Sequence, residues 1–191
     1  MGNYLCCCPR RHQAKLDLDV AKDLESRTTF TYEEINTLFK TFQTEFPNLR
    51  MTKTQFIEKI EQDVLPVGDC HQFANYLYKI FDENDDGSID FSEFIFGLYL
   101  LTSATGKERL NFAFNMLDIN SDGYITKTEM AQVLEAYSVF TKNSSKNRET
   151  PEYLTNLIFK TIDTDQDQRI SLQEFEEAAE KHPRLLEFLA L

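Results

Sequence analysis

Apolar residues recur along this chain at helical spacing, in stretches separated by short polar segments. Ile35, Leu38, Phe39 and Phe42 form one stripe, and Phe73, Leu77, Ile80 and Phe81 a second. Phe94, Ile95, Leu98 and Leu101 form a third. Start signals agree with this phasing. Thr31 and Glu34 make a capping box, with Phe30 and Ile35 placed as a hydrophobic staple. Thr52 and Gln55 repeat the cap ahead of a helix expected over 53–62, which Pro66 and Gly68 end. Asp69 and Gln72 are placed to cap the helix that carries Phe73. Thr150 and Pro151 supply an N-cap and a first helical residue. Further helices are expected over 17–27, with Val20 and Leu24 on one face, and over 107–117 and 127–140. Residues 103–106 read as an interhelix turn, with a hinge as the alternative. Residues 141–149 read as a polar, basic, mobile link, and 185–191 as an amphipathic turn or two. The pattern is all-α.

The segments between the stripes carry the chemistry. Asp82 to Glu93 places oxygen-bearing side chains at positions 1, 3, 5, 7, 9 and 12 of a twelve-residue loop, with Gly87 at position 6 and Ile89 at position 8. This is the calcium loop of an EF-hand. Its expected ligands are Asp82, Asn84, Asp86, the carbonyl of Ser88, Asp90 (directly or through water) and both oxygens of Glu93. Asp118 to Glu129 repeats it with Asp118, Asn120, Asp122, the Tyr124 carbonyl, Thr126 and Glu129. Asp163 to Glu174 repeats it again with Asp163, Asp165, Asp167, the Arg169 carbonyl, Ser171 and Glu174, but has Gln168 at position 6. Three Ca²⁺ sites are expected, with Mg²⁺ as a resting occupant of some.

A fourth copy precedes these. Phased on Met51 at position 8, it runs from Thr44 to Gln55, with Phe46, Asn48 and Leu49 at positions 3, 5 and 6. No carboxylate falls on any of these positions, so the copy is expected to fold without binding calcium. The first positions, Thr44, Asp82, Asp118 and Asp163, lie 38, 36 and 45 residues apart, so one helix–loop–helix unit is used four times. Loops of this kind pair through position 8. Met51 is expected beside Ile89 and Ile125 beside Ile170. The fold expected is all-α, four EF-hands in two paired lobes over 17–102 and 107–191, with short two-stranded β links between paired loops.

The net charge of −12 and pI of about 4.7 argue against nucleic acid as a partner and suit a carrier of multivalent cations. No apolar run is long enough to span a bilayer, and the segment after Leu5 is not a secretory signal. A reducing, cytoplasmic location is expected, with the four Cys not in disulfides. The first residues point to a membrane nonetheless. Met1-Gly2 permits myristoylation of Gly2, although Cys6 stands where Ser or Thr is usual. Cys6, Cys7 and Cys8 sit where palmitoyl groups follow a myristoyl group, and one acyl chain alone holds a membrane only marginally. Arg10, Arg11 and Lys15 suit an anionic leaflet. Residues 1–16 therefore read as a lipidated basic segment, the alternative being a tail without lipid. Adjacent cysteines chelate zinc poorly. His12, His71 and His182 lack any catalytic motif and no catalytic partner for Cys70 can be identified in the sequence, so no enzyme activity is expected.

The chain resembles the neuronal calcium sensor family (recoverin, frequenin and the visinin-like proteins). The resemblance rests on Asp86 to Ile95, Asp122 to Ile125, Thr150 to Glu152 and Ile170 to Phe175, together with the Met1-Gly2 start. A non-binding first hand also fits that family, although Phe46 stands where its first loop usually has Cys. The resemblance implies a calcium sensor that binds an amphipathic target helix when loaded. Calcium is expected to draw Glu93 and its helix inward and open a groove lined by residues such as Ile35, Phe39, Phe56, Phe73, Tyr76, Phe94 and Leu98. A calcium buffer, or a regulatory subunit held permanently on its partner, remain alternatives.

Overall fold

The computed structural model describes residues 15–64, 71–141 and 150–181. The order of elements is α1 (Leu18–Arg27), α2 (Tyr32–Glu45), β1 (Arg50–Thr52), α3 (Lys53–Lys59), a π-helical turn (Ile60–Val64), α4 (His71–Phe81), β2 (Ser88–Asp90) and α5 (Phe91–Thr102). Then come α6 (Gly106–Leu117), β3 (Tyr124–Thr126), α7 (Lys127–Thr141), α8 (Pro151–Ile162), β4 (Arg169–Ser171) and α9 (Leu172–Lys181). Each three-residue strand joins two loops of one lobe. β1 pairs antiparallel with β2, with Met51 opposite Ile89. β3 pairs with β4, with Ile125 opposite Ile170. All four of these side chains are fully buried, so each link is also a core contact.

The helix starts follow the sequence closely. Thr31 and Glu34 form a full capping box, and so do Thr52 and Gln55. Thr150 accepts from the Tyr153 amide, with Pro151 in the first turn. Two expectations need correction. The buried pair on α1 is Ala21 and Leu24, while Val20 is exposed. The buried line on α1 is an i, i+3 pair, and Val20 lies one residue off that line. The helix expected over 53–62 gives way to the wider turn at Ile60. Beyond Ile60, Glu61 and Gln62 add nothing apolar to the buried stripe. The proposed stop at Pro66 and Gly68 and the cap at Asp69 lie outside the described residues, as do 142–149 and the 185–191 tail.

Phenylalanine builds the first core. Phe42 lies within 5.0–5.6 Å, centroid to centroid, of Phe46, Phe91 and Phe94, and Phe56 within 4.9 Å of Phe81. The link between lobes is a tied turn. Ala104 is buried, and the Tyr99 hydroxyl donates to Glu108 across the connector at 2.6 Å. Helix α4 also packs on α6 and α7, with the rings of Phe73 and Tyr137 6.1 Å apart.

Candidate metal centres

Local backbone shape comes first. At position 4 of the three acidic loops, Asp85, Ser121 and Gln166 have φ of 55°, 58° and 61°. At position 6, Gly87, Gly123 and Gln168 have φ of 82°, 86° and 70°. Two left-handed residues in three fold each loop back on itself and turn its amides inward. Glycine takes this region without strain, whereas glutamine does not.

The inward amides fix the acids. Asp82 accepts from the amides of Asp86 (3.1 Å) and Gly87 (3.0 Å), and Asp118 likewise from Asp122 (3.1 Å) and Gly123 (2.9 Å). Asn84 and Asn120 accept from the same position-5 amides at 2.8 and 2.9 Å. Asp86 and Asp122 accept from the amides of Ser88 and Tyr124. The glutamate at position 12 closes each cage. Glu93 bridges the amides of Asn84 (3.3 Å) and Asp90 (2.9 Å), and Glu129 those of Asn120 (3.2 Å) and Thr126 (2.9 Å). In the fourth loop Glu174 reaches the amides of Ser171 (3.0 Å), at the same position 9, and of Thr164 (2.9 Å), one residue earlier than Asn84 and Asn120. The residue at position 9 is also the N-cap of the exit helix. Asp90 and Glu93, Thr126 and Glu129, and Ser171 and Glu174 exchange the bonds of a capping box. Thr52 and Gln55 do the same in the first hand. That hand therefore keeps the architecture and lacks the charge.

The electrostatics point to a cation. Asp82, Glu93, Asp118 and Glu129 are buried, and none has a basic side chain within ion-pair distance among the described residues. Buried carboxylates without a counter-charge are costly. Burial, with Asp90 and Asp82 nearby, pushes the Glu93 carboxyl up. Glu174 goes the other way: burial opposes ionisation, but bonds from Ser171 and Thr164 outweigh it and bring the carboxyl down to about 2. Bonds from Arg50 and then Ser88 hold Asp86 low. Burial and the adjacent Asp82, to which it donates at 3.2 Å, push the Tyr78 phenol up to about 12. In the fourth loop, oxygens of Asp163, Asp165 and Glu174 lie within 4.8 Å of one another. Asp163 Oδ1 is buried there without a hydrogen-bond partner. An oxygen-only donor set of this kind fits a hard divalent cation such as Ca²⁺ or Mg²⁺.

The first loop lacks this cage. Leu49, at position 6, is left-handed at φ 55°, but position 4 is Pro47. Position 4 was not singled out in the sequence, although Pro47 signals the outcome. Arg50 and Tyr78, both bonded to loop-two acids, were also missed. Of the residues expected in a groove, Ile35, Phe39, Phe56 and Phe73 are core residues in this structure, and Tyr76, Phe94 and Leu98 are half-buried. An open pocket of about 520 Å³ is lined by Phe30, Leu38 and Leu98, with Glu33, Glu34 and Thr37 around them. Gly2, Cys6, Cys7 and Cys8 lie outside the described residues. No helix among the described residues is long and apolar enough to cross a membrane.

Four helix–loop–helix units paired through short antiparallel links, three of them with acidic cages, define an EF-hand protein. Family models agree: an EF-hand domain pair matches residues 107–180, and an EF hand matches 79–98. Across its length the chain is similar to Neuronal calcium sensor 1 of Lymnaea stagnalis, at 34% identity over 184 residues, covering 95% of this chain and 96% of the relative. The chain belongs to the neuronal calcium sensor family.

Proposed function

We propose that this protein is a calcium sensor with three working sites, and that it regulates a target protein at membranes. The observation that carries the reading is the shared cage: in each of the second, third and fourth loops a position-12 glutamate holds amides from both ends of the loop. Ca²⁺ supplies a hard, divalent charge that takes six to eight oxygens. Asp82, Asn84, Asp86, Ser88, Asp90 and Glu93 would hold it in the second loop. Asp118, Asn120, Asp122, Tyr124, Thr126 and Glu129 would do so in the third, and Asp163, Asp165, Asp167, Arg169, Ser171 and Glu174 in the fourth. Ser88, Tyr124 and Arg169 would contribute carbonyls. Mg²⁺ occupies some of these at rest. Glu93, Glu129 and Glu174 sit in the first turns of α5, α7 and α9, so movement of a carboxylate is passed to a helix. Residues 17–102 and 107–191 act as the two lobes.

The pocket between Phe30, Leu38 and Leu98 supports a target surface in the first lobe, and its glutamates favour a basic amphipathic helix. Residues 1–16 supply the membrane anchor, through acylation at Gly2 and at one or more of Cys6, Cys7 and Cys8. Two measurements test the reading. Calorimetry should count three equivalents of Ca²⁺. Capture from membrane extract should recover a partner that depends on calcium. A partner held equally in chelator would make the protein a permanent subunit, and no partner at all would make it a buffer.

A further inference from the structure

The first hand binds no ion by its own residues, yet it reaches into the second. Arg50 stands at position 7 of the first loop, and the β1–β2 register sets it opposite Asp90. Its Nη1 donates to Asp86 Oδ2 at 2.6 Å and to Ser88 Oγ at 2.7 Å. The amide and hydroxyl of Ser88 hold the other Asp86 oxygen at 3.0 and 2.8 Å. Both oxygens of a position-5 ligand are thus engaged by donors, one of them cationic. The second lobe offers an internal comparison. Arg169 holds the same position 7 of the fourth loop, opposite Thr126. Its guanidinium lies 5.7 Å from the ring centroid of Tyr124 instead. Asp122 Oδ2 there meets the neutral amide of Asn120 at 3.1 Å. Tyr124 fills the place that Ser88 fills in the second loop, so the aromatic ring offers the arginine a seat away from the acids.

We propose that Arg50 is a built-in counter-cation of the second loop, which competes with divalent ions for Asp86 and lowers that loop's affinity for calcium. The proposal rests on reading this loop as a calcium site. A guanidinium cannot lose its proton, so the competition persists at every physiological pH. The two side chains keep 54% and 33% of their surface exposed, so the effect is modest. Exposed pairs of this kind are worth about two- to fivefold in an equilibrium constant. The first hand thereby sets the threshold of its neighbour without holding an ion.

The test uses the full chain carrying Glu129→Gln and Glu174→Gln, so that the second loop alone titrates. Calcium affinity is then measured by calorimetry with Arg50 intact, with Arg50→Gln and with Arg50→Lys. Arg50→Gln should tighten binding about two- to fivefold, Arg50→Lys should stay near the parent, and the difference should shrink in high salt. Unchanged or weaker binding in Arg50→Gln overturns the proposal, since Arg50 would then be inert or would position Asp86. Equal tightening in both variants overturns it too, because the charge would not be the cause. If the parent takes up no calcium, the reading of the second loop fails instead.

Discussion

At position 4 of the three acidic loops the chain passes through the left-handed region, and at the same position the first loop has Pro47, whose ring holds φ at about −65°. Restoring the position-12 carboxylate alone should therefore not restore a site. Gln55→Glu is expected to leave the calcium stoichiometry unchanged in calorimetry, and one added equivalent would refute the backbone account. Position 6 makes the complementary case. Gln168 sits at φ 70° where its counterparts are Gly87 and Gly123. A side chain in that region costs on the order of 1 kcal/mol. Gln168→Gly should tighten the fourth site by up to about fivefold, read by calcium titration of a chain whose second and third loops are disabled through Glu93→Gln and Glu129→Gln. An unchanged constant would show that the strain is carried equally with and without the ion.

At the scale of elements, close approach of helices sets the first lobe. Gly97 of α5 lies under the ring of Phe81 from α4, and a Cβ there would fall 2.7 Å from Phe81 Cγ. Gly97→Ala gains about 1 kcal/mol of helix propensity, but overpacking of this kind costs about 1–3 kcal/mol. Thermal unfolding in chelator should show a net loss, and a rise in Tm would mean that Phe81 moves freely. The caps give a second expectation. Glu174 is held down to about 2 from an ordinary 4.5, so its contribution to stability is in place above pH 4.5 and is lost as pH falls toward 2. Glu93 is shifted up by burial, so its contribution is present below 4.5 and is lost as pH rises through its folded value. Carboxyl titration by NMR in chelator should place the Glu93 midpoint above that of Glu174, and the reverse order would contradict the two environments. Much of this was legible beforehand. The capping boxes at Thr31 and Thr52 and the pairing of Met51 with Ile89 follow from local spacing. The wider turn at Ile60 and the bond from Arg50 to Asp86 were not legible, because they depend on what a neighbouring element brings.

Across the whole molecule, the contact that spacing could least anticipate joins the lobes. Lys79 on α4 donates to the carbonyl of Ile119 and to Ser121 Oγ, both in the third loop. With the Tyr99–Glu108 bond it ties the first lobe to a loop of the second, across some 40 residues of chain. The periodicity of each helix carries no record of such a tie. Charge, by contrast, is a global quantity that the sequence states outright, and it turns stoichiometry into a measurement. The formal charge is −12. Each bound Ca²⁺ adds two positive charges, so two ions would leave −8, three −6 and four −4 from that starting value. Protein without lipid, run by capillary electrophoresis in chelator and then in saturating calcium, should fall to about half its mobility if three loops load. Proton release on binding would enlarge the apparent negative charge, so the loss of mobility gives a lower bound on the ions taken up. A loss of about a third, once the protons released are counted, would mean that one of the three acidic loops stays empty. A loss of about two-thirds would mean that Thr44 to Gln55 binds after all.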